Sequence, residues 1–74
     1  MGLKGGMEME CVYANLRDAM LEQHVSVRDL AALIRKSEEI VHLKLLGVRD
    51  WTLSEAISIA HHLEYPDFRK LFLR

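Results

Sequence analysis

Cysteine is nearly absent: Cys11 is the only one in 74 residues, so no disulfide can close within the chain. A reducing, intracellular setting is the natural expectation, and with it a cytoplasmic location. Proline occurs once, at Pro66, aromatic residues make up 7%, and there is neither a repeat nor a low-complexity tract. No apolar run approaches the roughly 20 residues that a membrane-spanning helix needs, so no membrane partner is expected. Neither sign of charge dominates, with ten Lys and Arg against eleven Asp and Glu and a net charge of −1. That balance argues against strong, indiscriminate nucleic-acid binding and leaves room for a local basic face. No segment alternates with a period of two, which removes β-strands from consideration.

Half of the residues are hydrophobic and 28% are charged, the balance of a folded globular domain. A chain this short buries only about 60% of its unfolded surface, so partners can complete its core. The start, "MGLKGGMEME", has no signal-peptide core, and Gly6 breaks the myristoylation pattern. With three glycines among its first six residues, the stretch 1–7 reads as a flexible leader before a single domain over 8–74.

Five helices are expected. Met9, Val12, Leu16 and Met20 recur at helical spacing, with Tyr13 and Ala19 widening the stripe, which predicts an amphipathic first helix over about 8–23. Ser26 and Asp29 form a start signal for a second helix over 27–34 that buries Leu30, Ala31 and either Leu33 or Ile34. Ser37 starts a third, over 38–46, whose first turn holds Glu38 and Glu39, where carboxylates suit the positive end of the helix dipole. Gly47 fits the left-handed position just past that helix. Thr52 and Glu55 make a full capping box for a fourth, with Leu53, Ala56, Ile57, Ala60 and Leu63 as its core stripe. Pro66 stops it and opens a short fifth, from which Phe68, Leu71 and Phe72 pack back.

The second and third helices are separated by only three residues, and Ala31 supplies the small side chain that a close, steep crossing requires. Val41 and Leu45, four apart, pin the third helix to the core and leave Glu38, Glu39, His42 and Leu43 outward. The stretch "LRDAMLEQHVSVRDLAALIRKSEEIVHLKLLGVRDWTLSEAISIAHHL" resembles the Cro/phage-repressor, or XRE-type, helix-turn-helix family and its small phage-like members. The likeness rests on Leu30-Ala31, Lys44-Leu45-Leu46-Gly47, Trp51-Thr52-Leu53 and Glu55-Ala56, in that order, and extends over roughly residues 15–72. It implies an all-α, compact bundle of about five helices with a lambda-repressor-like DNA-binding fold. It also implies sequence-specific binding of a double-stranded DNA operator by a homodimeric transcriptional regulator. By that resemblance, Val27 and Arg28 open the helix that crosses the phosphate backbone, and the helix over 38–46 enters the major groove. Arg49, in the loop after Gly47, is the candidate for a further backbone contact.

Three departures from the family pattern stand out. Arg35 occupies the turn position usually given to glycine, where a left-handed conformation costs about 1–2 kcal/mol, and an arginine there can gain a phosphate contact. Val27 replaces the common glutamine. The third is the acidic pair Glu38-Glu39, with apolar Leu43 and Leu46, on the helix that would read bases. Over residues 26–49, Arg28, Arg35, Lys36, Lys44 and Arg49 stand against Asp29, Glu38 and Glu39, a balance of +2, and the rest of the chain carries −3. Glutamate can accept a hydrogen bond from cytosine N4, but affinity has to come from the five cations, which could engage ~3–5 phosphates per subunit. Two subunits on half-sites one helical turn apart would then be needed. The expected DNA-binding set is Arg28, Arg35, Lys36, Ser37, Glu38, Glu39, His42, Leu43, Lys44 and Arg49.

Each of these residues also has an ordinary reading. Glu38 and Glu39 are good first-turn residues, and Arg35 and Lys36 are ordinary turn charges beside a helix start. His61 and His62 point about 100° apart on a helix and cannot form the i, i+4 zinc pair, so no metal or cofactor is expected. Cys11 has no histidine motif, and nothing else suggests an enzyme. Trp51 reads as a packing residue. Among Leu43, Leu46, Val48 and Ile59, some find no core at these helical phases, which raises a second function: a protein-interaction module, accessory or antirepressor-like, that keeps the fold and binds a protein partner. Phe68, Leu71, Phe72 and Leu73 are a second candidate for dimer contact.

Overall fold

A computed structural model describes residues 10–74; the expected leader and the start of the first helix at residues 8 and 9 lie outside the described residues. Its first helix, α1 (Ala14–Gln23), begins later than the hydrophobic spacing suggests. The reason is tertiary. The Val12 amide donates to the Leu45 carbonyl at 2.9 Å, and Tyr13 is extended at the helix entry. The Tyr13 ring packs edge-on against Phe72 at 5.8 Å. Residues 10–13 are therefore tied to distant parts of the chain, and Val12 is left exposed rather than in the core stripe.

α1 ends at left-handed His24, and α2 (Val27–Ile34) follows behind the Ser26–Asp29 capping box. α3 (Glu38–Leu45) is capped by Ser37, and α4 (Leu53–His62) by the Thr52–Glu55 box. Glu64 at φ 55 ends α4, with the Tyr65 amide returned to the Ala60 carbonyl at 2.9 Å. The stop thus precedes Pro66. The short α5 (Phe68–Leu71) is opened by Asp67, whose carboxylate accepts from the Arg69 amide. All elements among the described residues are helices, five in number, as expected.

One core joins them. Leu16 and Met20 from α1, Leu30 from α2, Val41 and Leu45 from α3, Ile59 and Leu63 at α4, and Leu71 from α5 are essentially without solvent contact. Each such side chain contributes about 1.5–3 kcal/mol through its removal from water. Polar ties lock α1 in place: Asn15 donates to the Lys70 carbonyl at 2.9 Å and Gln23 to the Leu63 carbonyl at 2.7 Å. Two expectations about α4 need correction. Leu53 and Ile57, read as core, are 65% and 47% exposed, whereas Ile59, left out of the expected core stripe and grouped with side chains of which some would lack a core, is fully buried. The helix is rotated so that the carboxylate of Glu55 turns inward, and Ala56, Ile59, Ala60 and Leu63 form the buried stripe. No helix among the described residues is long and apolar enough to cross a membrane.

Candidate nucleic-acid interface

The surface in question is built on α2, the turn and α3. At the head of α2, the Asp29 amide donates to Ser26 Oγ at 3.1 Å and the Ser26 amide to Asp29 Oδ2 at 2.9 Å. Arg35 ends α2 in the left-handed region, at φ 60 and ψ 46, as its turn position requires. The Lys36 amide then closes onto the Ala31 carbonyl at 3.0 Å. Ala31 is buried where α2 meets α3 and α4. Ser37 Oγ accepts from the Ile40 amide at 3.2 Å, which starts α3 within three residues of the end of α2.

α3 buries Val41, Lys44 and Leu45. Its opposite side carries Glu38, Glu39 and His42 exposed, with Leu43 half-buried and Leu46 exposed just beyond its end. Arg28, Arg35, Lys36, Ser37 and Arg49 are also exposed. The fold therefore brings nine of the ten expected contact residues to the surface around α3. It pairs two of them: Arg28 Nε lies 3.6 Å from Glu38 Oε2 with both side chains mostly in water, a contact worth about 0–1 kcal/mol that DNA could readily displace.

Lys44 is the exception. Expected to grip phosphate, it is 6% exposed. Its ammonium donates to Glu55 Oε1 at 2.7 Å and to the Asp50 carbonyl at 2.9 Å. It also sits 5.6 Å from the centre of the Trp51 ring. Sequence spacing held a signal for this, since Val41, Lys44 and Leu45 fall at i, i+3 and i+4, the phase of a buried stripe. The same Glu55 oxygen accepts from the Thr52 amide at 3.0 Å, so one carboxylate joins the end of α3, the loop and the start of α4. Trp51 packs on Phe72 at 5.3 Å, and its buried indole N–H has no acceptor among the described residues.

The loop after α3 is wrapped tightly. Gly47, at φ 81, gives its amide to the Lys44 carbonyl at 3.1 Å, and Val48 and Arg49 give theirs to the Leu43 carbonyl at 3.0 and 3.2 Å. Any side chain at Gly47 would be strained by that backbone angle. Arg74, which sequence reasoning passed over, reaches this loop: it donates to Tyr13 Oη at 3.3 Å and to the Gly47 carbonyl at 3.4 Å. Arg49 is consequently presented from a braced loop.

Comparison of the chain with family models, curated proteins and solved structures finds no match. No group of three or more metal-ligating side chains occurs among the described residues. Cys11 is half-buried, and burial pushes its thiol pKa up, away from nucleophile chemistry.

Glu55 makes the fold acid-sensitive. Burial opposes its ionisation, but the Lys44 ammonium and the Thr52 amide outweigh that and hold its pKa below the ordinary value. Asp29, held by the Ser26 amide, and Asp67, held by the Arg69 amide, shift the same way. A lowered folded pKa means that the unfolded chain binds more protons. The stability from these groups is therefore complete above the unfolded values, about 4.3 for Glu and about 3.9 for Asp, and is lost as pH falls through the folded values. We expect the urea midpoint, followed by Trp51 fluorescence, to fall below pH ~4.3, and a double variant with Lys44→Met and Glu55→Gln, which removes the ionisable pair without stranding a charge, to flatten that fall. Parallel profiles for parent and variant would remove Glu55 from the account.

Proposed function

We propose that this chain is a small sequence-specific binder of duplex DNA, a transcriptional regulator of the Cro/repressor type that acts as a homodimer. The observation that carries this reading is the pairing of α2 with α3 across three residues. The outer side of α3 is free, and Arg35 and Lys36 flank its N-terminus. In this function α3 lies in the major groove, where Glu39 and His42 meet base edges, and Arg28, Arg35, Lys36 and Arg49 hold phosphates. With Lys44 neutralised by Glu55, four cations remain against Asp29, Glu38 and Glu39 within residues 26–49. A single subunit would bind weakly, and specificity would depend on two half-sites. Occupying an operator then blocks or recruits polymerase.

The test is selection from a randomised duplex library at low and at near-physiological salt. A two-fold motif with half-sites one turn apart is the expected product. Lys36→Ala should weaken binding to all duplexes and flatten the salt slope by about one. Arg35→Gly should do the same with no loss of fold, because glycine accepts the left-handed angle. Glu39→Gln should change sequence preference. An unenriched pool from folded protein sinks the proposal.

A second reading has its own support. Outward Glu38 and Glu39 at the start of α3 disfavour phosphate, and Leu46 and Val48 are exposed just beyond its other end. A protein partner docking there would leave no salt-dependent DNA binding and would be lost on Leu46→Lys.

A further inference from the structure

We propose that the cleft between the start of α4 and α5 is a binding site for a small aromatic carboxylate. The cleft has a volume of about 570 Å³, within the roughly 300–1,000 Å³ of small-ligand pockets. Its wall is aromatic and already fixed. The Phe72 ring meets Tyr13 edge-on at 5.8 Å and Trp51 at 5.3 Å, and Phe68 joins them one helical turn before Phe72. Rings held against one another offer their remaining faces and edges to a flat apolar ligand with little to lose in ordering.

Charge decides the class of ligand. Arg69 and Arg74 line the cleft against a single acid, Asp50. The Arg74 guanidinium sits 5.4 Å from the centre of the Tyr13 ring. Its Nη2 donates to Tyr13 Oη at 3.3 Å and to the Gly47 carbonyl at 3.4 Å, and no carboxylate among the described residues lies within ion-pair distance of it. A guanidinium presents five N–H donors in a planar fork. This one is held in position with most of its donors unspent, which suits a carboxylate bound through both oxygens. Arg69 adds a second cation, since its pairing with Asp67 at 3.4 Å leaves its side chain 79% exposed and such a surface pair holds it weakly. The same wall contains Trp51, whose buried indole N–H has no acceptor among the described residues; a ligand oxygen reaching it would satisfy that donor. An uncharged ring would leave Arg74 without a counter-ion, and a cationic one would be repelled. The site stands on this face alone and does not rest on DNA binding.

Titration of the isotope-labelled full chain with phenylacetate tests it, because the single tryptophan, Trp51, gives one indole N–H resonance to follow. That resonance should shift and saturate with a Kd of about 1 mM or tighter. Phenylacetamide, the same ring without the charge, should bind at least about tenfold more weakly, and so should acetate and inorganic phosphate, which have no ring. Arg74→Gln should weaken phenylacetate binding at least about tenfold. Leu53→Glu changes an exposed side chain of the cleft wall, keeps the fold, and should weaken binding by setting a negative charge beside the carboxylate. A parent whose resonance shows no saturable shift up to about 10 mM phenylacetate overturns the proposal. So does phenylacetamide or phosphate binding as tightly as phenylacetate, or a folded Leu53→Glu or Arg74→Gln variant that binds phenylacetate as the parent does.

Discussion

Lys44→Ala should be the most damaging single substitution of a charged residue in this chain, lowering unfolding free energy by about 3–5 kcal/mol. The ammonium that it removes is buried with Glu55 at 2.7 Å, and both side chains are about nine-tenths shielded from water. Taking one partner away strands a carboxylate in a site of low polarisability and leaves the Asp50 carbonyl without its donor. For a domain of this size that loss approaches the whole of its stability. Urea unfolding read by the single tryptophan, Trp51, measures it directly. The companion variant carries both Lys44→Met and Glu55→Gln. It keeps the bulk of the pair and an oxygen for the Thr52 amide, so it should recover most of the loss. If Lys44→Ala unfolds within about 0.5 kcal/mol of the parent, as an ordinary surface change would, the buried pair is not what holds α3 to α4. Under the proposed function, the double variant, once folded, should also keep the parent's salt slope on duplex DNA, since the Lys44 ammonium is buried.

Ile59→Ala should cost about 2–5 kcal/mol. Ile59 is fully enclosed between the helices, and its removal leaves a cavity that the surrounding Leu and Met side chains fill only in part. Ile57→Ala, two positions earlier on the exposed side of α4, should stay within about 0.5 kcal/mol. Both are best measured at low protein concentration, where self-association adds nothing to apparent stability. Equal effects at the two positions would mean that the rotational setting of α4 is wrong, and with it the exposed Leu53–Ile57 edge.

Helix starts were the most legible part of the sequence. Ser26 with Asp29, Ser37, and Thr52 with Glu55 cap the helices that they announce. Capping is a contact between neighbours along the chain, so local chemistry suffices to specify it. The left-handed angles at Arg35 and Gly47 follow for the same reason, from the residues that a three-residue turn and a helix end demand. Most of the candidate interface was legible too, since the short turn fixes which side of α3 can remain outside.

What stayed hidden depended on partners far along the chain. Hydrophobic spacing extended the first helix back through residues 8–13, but the Val12 amide is claimed by Leu45 and the Tyr13 ring by Phe72. A hydrophobicity pattern treats Lys44 and Glu55 as solvent-facing because each alone is too costly to bury. Only when both meet, with the Asp50 carbonyl and the Thr52 amide to complete their hydrogen bonds, does burial become affordable. That meeting turned α4 so that Ile59 went in and Leu53 and Ile57 came out. The sequence by itself determined five helices, their caps and the exposed side of α3. The tertiary structure decided which charges are surface and which are core, because the cost of burying a charge is set by the partner that the fold brings to it.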